Sequence, residues 1–290
     1  MIAALKTFLV GFLMGSADVV PGVSGGTIAL VAGIYERLVS SIRAGSSALA
    51  SLIRANMKDV RTHLSRVEWG FLLMVLAGIF AAVLSLAHFI EVQLEERPIL
   101  LASAFFGLVL GSVVVASRLL HTPRILHAWV ALASGIATFL LLGLSSGNTA
   151  SDPSLLVFFG SGAVAICAMI LPGISGSLIL VMLGMYQAVL GAVNDREFLT
   201  VGVFVVGAVV GLALFSQLLD FALQKWHDIV LAGLIGLMVG SLRILWPWPD
   251  GVDGPLLGAP NEDVLIALVA AVVGFVAVLL VARLGDPAPT

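Results

Sequence analysis

Two interruptions of apolar sequence constrain this chain more than anything else in it. The first is Gly15-Ser16-Ala17-Asp18-Val19-Val20-Pro21-Gly22-Val23-Ser24-Gly25-Gly26-Thr27, and the second is Ala168-Met169-Ile170-Leu171-Pro172-Gly173-Ile174-Ser175-Gly176-Ser177. An offset of 151 positions places Pro21, Gly22, Ser24, Gly25, Ile28, Gly33 and Tyr35 on Pro172, Gly173, Ser175, Gly176, Ile179, Gly184 and Tyr186. The chain has only two tyrosines, and both fall at this equivalent position. Such self-similarity reads as an internal duplication. A second offset, of 129, aligns Gly107-Leu108-Val109-Leu110-Gly111-Ser112 with Gly236-Leu237-Met238-Val239-Gly240-Ser241, so the duplication extends past the interruptions.

The surroundings of these breaks are those of a membrane protein. The 290 residues are 60% hydrophobic and 11% charged, with mean hydropathy +1.14, whereas a soluble domain carries about 25% charged residues. A net charge of −3 offers no basic surface for nucleic acid. The single Cys167 excludes an internal disulfide, and the apolar run at the N-terminus reads as a retained membrane segment. In hydrocarbon, backbone groups freed by Pro and Gly must find partners in protein or in a water-filled cavity. Two matched breaks therefore point to a midplane site in a transporter built from repeats. The competing reading is that PGxSG only kinks helices for close packing.

The chain divides into halves 1–150 and 151–290. Apolar arms 2–20 and 27–42 flank the first break, and arms 156–171 and 177–193 flank the second. An arm of sixteen residues reaches about 24 Å, short of a hydrocarbon core of about 30 Å. The arms thus predict re-entrant hairpins over 2–42 and 156–193. Residues 43–68 repeat Leu49, Leu52, Ile53, Met57, Val60, Leu64 and Val67 at helical spacing opposite Arg54, Lys58, Arg61 and Arg66. That pattern predicts an amphipathic helix on a membrane surface. Full spans are expected at about 69–90, 98–120 and 126–145, and again at about 198–223, 228–246 and 263–283.

With the N-terminus in the cytoplasm and each hairpin returning to its own side, eleven Lys and Arg residues fall inside and only Arg97 and Arg196 outside. This satisfies the positive-inside rule. Acidic residues, among them Glu91, Asp152, Asp250, Asp253 and Glu262, collect in the outer loops. Three crossings per half invert the halves. The expected fold is an all-α integral membrane protein of two inverted-topology repeats, each a re-entrant helical hairpin plus three transmembrane helices. Both termini are expected in the cytoplasm.

Candidate substrate-binding residues are Pro21, Gly22, Ser24, Gly25, Gly26 and Thr27 in the first break, and Pro172, Gly173, Ser175, Gly176 and Ser177 in the second. Asp18 is an intramembrane carboxylate and a candidate proton carrier, or else a cap for freed amides. Arg243 either binds an anion or snorkels to the interface beside Trp246 and Trp248. His88, Gln217 and Asp220 are polar residues of the spans without an assigned role. Neither hairpin contains a His that could activate a serine, and no Walker loop, HExxH or CxxC is present, so nothing supports an enzyme, a cofactor or a metal.

The run from Met14 to Thr27, with its echo Leu171-Pro172-Gly173-Ile174-Ser175-Gly176, resembles the bacterial polyprenyl-phosphate transporter family, and the likeness covers nearly the whole chain. It implies a flippase that returns undecaprenyl phosphate from the outer to the inner leaflet of the cytoplasmic membrane, recycling the lipid carrier of cell-wall precursors. The implied partners are the polyprenyl phosphate and the bilayer, with a homodimer left open. Transport of a small soluble anion through the same hairpins is the alternative.

Overall fold

The computed structural model describes residues 2–20, 22–143, 153–248, 257–260 and 263–284. Pro21, Asp152, Asp250, Asp253 and Glu262 lie outside the described residues, as do 144–145 at the end of the third expected span. The described residues form twelve helices and no strand. They are α1 (Ile2–Asp18), α2 (Gly25–Val31), α3 (Tyr35–Ile53), α4 (Met57–Leu64), α5 (Trp69–Glu96), α6 (Pro98–Ser117), α7 (Ile125–Gly143), α8 (Leu155–Ile170), α9 (Gly176–Met182), α10 (Tyr186–Asn194), α11 (Phe198–Ser241) and α12 (Val264–Leu284). Five are long and apolar enough to cross a membrane, or six if the bent pair α9–α10 counts as one span. The chain is built as a multi-pass membrane protein. Exposed large side chains such as Leu84, Leu156, Phe198 and Leu265 cover its flanks, as a lipid-facing surface requires.

Three expected helices have different bounds. The arm 27–42 is not one helix: α2 ends at Val31, and α3 restarts at Tyr35 after a turn in which Gly33 has φ +71°. The second arm breaks likewise at Gly184 (φ +68°), and α9 and α10 meet at 109°. A left-handed residue cannot continue a right-handed helix, so each glycine ends its arm. The stretch 43–68 is also two pieces, the end of α3 and then α4, divided at Ala55 (φ +55°). Asn56 caps α4 by accepting a hydrogen bond from the Asp59 amide. No residue of α4 is buried.

The spans expected at 198–223 and 228–246 are two arms that follow each other without a loop and are taken together as the 44-residue α11. A straight helix of that length reaches about 66 Å, twice a hydrocarbon core. Non-helical torsions at Trp226 (φ −134°, ψ 47°) divide it into two arms.

Packing follows the small residues. A Cβ on Gly78 of α5 would fall 2.2 Å from the Phe8 carbonyl oxygen of α1, and one on Gly207 of α11 would fall 2.0 Å from the Phe159 carbonyl oxygen of α8. Gly11 meets Val75, and Gly162 meets Phe204. These two pairs of contacts stand at positions related by the offsets 151 and 129. Elsewhere α6 packs on α12 through Gly107 and Gly274, and the C-terminal arm of α11 packs on α7 through Gly236 and Gly240. Glycine removes the side chain between two backbones, and close backbone approach drives helix association in lipid.

Candidate functional site: two helix breaks that satisfy each other

The breaks meet at the centre of the molecule. Helix α8 stops at Ile170 because Leu171 precedes Pro172 and takes an extended conformation (ψ 131°). Its last carbonyls then have no intrahelical partners, and side chains of the first break supply them. Ser24 Oγ donates to the Met169 carbonyl (3.3 Å), and the phenol of the fully buried Tyr35 donates to the Ile170 carbonyl (3.2 Å). In the reverse sense, the freed Gly173 amide donates to Thr27 Oγ1 at 2.9 Å.

Within the first break, Asp18 Oδ1 accepts from the Gly25 amide at 2.6 Å, and Ser24 Oγ caps α2 by accepting from the Gly26 amide. Both breaks turn on a left-handed glycine, Gly22 (φ +82°) and Gly173 (φ +88°), each pressed against α11 or its C-terminal extension. A Cβ on Gly22 would meet Ile244 at 2.7 Å, and one on Gly173 would meet Met238 Cα at 2.8 Å.

The two breaks share a backbone and differ in side chains. Asp18 and Met169 are equivalent, and each lies against the equivalent glycine, Gly25 or Gly176, but only Asp18 accepts a hydrogen bond there. Leu178 replaces Thr27, and Tyr186 is exposed where Tyr35 is buried. Ser175 does not cap α9; its hydroxyl pairs with Ser177 at 2.7 Å. Ser24 is engaged on both sides as a structural hydroxyl, whereas the Ser175–Ser177 contact uses only one of that pair's two hydroxyl hydrogens.

Arg243 is not brought to these hydroxyls. Its guanidinium lies 4.5 Å over the Phe139 ring and against Gly143 of α7, and its neighbour Ile244 is what reaches Gly22. His88 is exposed beside Glu91, and Gln217 is exposed. Asp220, by contrast, is buried on α11 and accepts from Arg43 of α3 and from Gln224 Nε2 at 2.7 Å, one turn from a Ser46–Ser216 hydroxyl contact of 3.3 Å. Arg37 of α3 hydrogen-bonds Glu68 ahead of α5, which holds that carboxyl below its usual range. Reading along the sequence did not find the α3–α11 contact, because its residues are 170 or more positions apart.

A family model described as "Undecaprenyl phosphate translocase-like" matches residues 14–255, a stretch that contains both breaks, α11 and the Asp220 pair. The chain belongs to that family. It is 40% identical over 247 residues to a polyprenyl-phosphate transporter of Vibrio cholerae, covering 85% of this chain and 79% of the relative. It is 28% identical over 297 residues to a polyprenyl-phosphate transporter of Staphylococcus aureus, covering 95% of both. No solved structure matches. Family and relatives are named for transport rather than catalysis.

Proposed function

We propose that this chain returns undecaprenyl phosphate from the outer to the inner leaflet of the bacterial cytoplasmic membrane, head group through the midplane and tail in lipid. The carrying observation is the pair of helix breaks locked to each other by Thr27, Ser24 and Tyr35 around left-handed glycines. Amides at the start of a helix that follows such a break suit an anionic phosphate. In this reading Pro21, Gly22, Gly25, Gly26, Pro172, Gly173 and Gly176 shape the passage, Ser24 and Thr27 hold it, and Ser175 and Ser177 face the head group.

Uptake into vesicles of purified protein tests the reading. Polyprenyl phosphate should be carried and inorganic phosphate should not; the opposite result would assign the hairpins to a small anion.

The inverted halves 1–150 and 151–290 belong to the same proposal. Segments assigned to the cytoplasm do meet one another, through Glu36–His227, Arg43–Asp220 and His121–Asp228. Segments assigned outside, Arg97 and Asp263, share a pocket. A cysteine placed within 57–64 should resist impermeant external reagent in intact cells, and one within 257–260 should react. Labelling of the first set would overturn the inversion.

Inward passage of a phosphate works against an inside-negative potential by about 2.3 kcal/mol per charge per 100 mV. We assign the compensating proton to Asp18. Asp18→Asn keeps an acceptor for the Gly25 amide but cannot release a proton, so uptake driven by a pH gradient should fall to background while thermal stability holds. Native-level uptake by that variant would leave Asp18 as a cap alone.

A further inference from the structure

The kink of α11 gathers a group of side chains that the transport reading does not use. His227 and Asp228 follow Trp226 directly, and the turn between α6 and α7 brings His121 against them; the two imidazole rings are 4.3 Å apart. His227 Nδ1 lies 3.1 Å and His121 Nδ1 3.4 Å from one oxygen, Asp228 Oδ1. One ligand atom from each residue can be chosen so that all three lie within 4.8 Å.

The surroundings orient these atoms as a metal site would. Glu36 Oε1 of α3 lies 2.8 Å from His227 Nε2. A proton on Nε2 directed at that carboxylate leaves the Nδ1 lone pair facing Asp228, the carboxylate–histidine arrangement that supports ligating histidines. The other carboxylate oxygen, Asp228 Oδ2, is fixed by the Thr122 amide (2.8 Å) and hydroxyl (3.0 Å), while Oδ1 accepts from the His121 amide at 3.0 Å and keeps a second lone pair for the side of the imidazoles. In a tetrahedral site with bonds of 2.0–2.1 Å, ligand atoms stand about 3.3 Å apart. The two separations from Asp228 Oδ1 already match that value. The third can close by rotation of His121, whose side chain is 72% exposed on its turn. An open pocket of ≈ 380 Å³ along His121, Trp226 and His227 gives access.

We propose that His121 Nδ1, His227 Nδ1 and Asp228 Oδ1 bind a divalent transition ion of the Zn²⁺, Co²⁺ or Ni²⁺ class, with Glu36 and Thr122 orienting the ligands. Two imidazoles and one carboxylate select these ions over Mg²⁺ or Ca²⁺, which prefer all-oxygen sites. The ion would tie the α6–α7 turn to the α11 kink and, through Glu36, to α3.

Cobalt titration of the purified full-length protein tests this. One equivalent of Co²⁺ should give the visible absorption of a low-coordinate site, and one equivalent of Zn²⁺ should bleach it. His121→Ala and His227→Ala should abolish the signal. Glu36→Gln should weaken binding by about 10–100-fold, the usual cost of losing an outer-shell partner. His121→Ala removes a mostly exposed side chain, so its fold should survive, and melting of each variant separates loss of ligand from loss of structure. Absence of a saturable cobalt spectrum, or a spectrum unchanged in a folded His121→Ala protein, overturns the proposal.

Discussion

Gly173→Ala should lower stability by about 3 kcal/mol and abolish transport, whereas Gly160→Ala in the adjoining helix should be near neutral. Two costs add at Gly173. Its φ of +88° is strained for any residue with a Cβ, by about 1–2 kcal/mol. The new methyl would also fall 2.8 Å from Met238 Cα and 3.0 Å from Met238 N, and backbone cannot step aside as a flexible side-chain end can. Moving the turn to relieve that clash stretches the bond from the Gly173 amide to Thr27 and exposes a buried donor without a partner, a loss of about 1–3 kcal/mol by itself. Gly160 has open space around its Cα and helical torsions, so Ala there trades only backbone entropy. Thermal unfolding in detergent, with lipid uptake measured alongside, compares the two. Equal melting temperatures would show that the second break does not depend on its left-handed glycine.

A disulfide between Ser46→Cys and Ser216→Cys should stop transport, and reduction should restore it. The two hydroxyls are 3.3 Å apart across the α3–α11 interface, next to the Arg43–Asp220 pair. The duplication relates this interface to one between α10 and α5, where Arg43 and Asp220 correspond to Asn194 and Glu91. Glu91 is exposed, and α5 and α10 share no comparable interface among the described residues. One side of the molecule is therefore latched while its counterpart stands apart, and on the proposed flippase reading the carrier has to exchange the two conditions. Cross-linking fixes the latch. Asp220→Ala should loosen it, by about 1–2 kcal/mol of coupling in a double-mutant cycle with Arg43→Met, given that Arg43 is half exposed. The test is run in a Cys167→Ala background, since that thiol is half-buried and could compete. Full uptake by the cross-linked protein would exclude opening of α3 from α11 as a step of transport.

The sequence by itself determined the class of the molecule and the places where its helices fail. Those features are local: Pro lacks a donor, glycine tolerates φ > 0, and a run of twenty apolar residues has few fates in water or lipid. The positions Gly22 and Gly173, the span starts near 69, 98, 126 and 198, and the family motif were all legible in that way. What filled the gaps left by the breaks was not legible. Ser24, Thr27 and Tyr35 spend their hydrogen bonds on backbone groups about 135–146 residues away, and nothing in one hairpin's sequence names the orphan carbonyls of the other. The placing of Arg243 on Phe139, the Arg43–Asp220 latch and the meeting of His121 with His227 and Asp228 have the same origin. Each is set by which helices the glycine contacts allow to pack together, a property of the assembled pairs and not of any one segment.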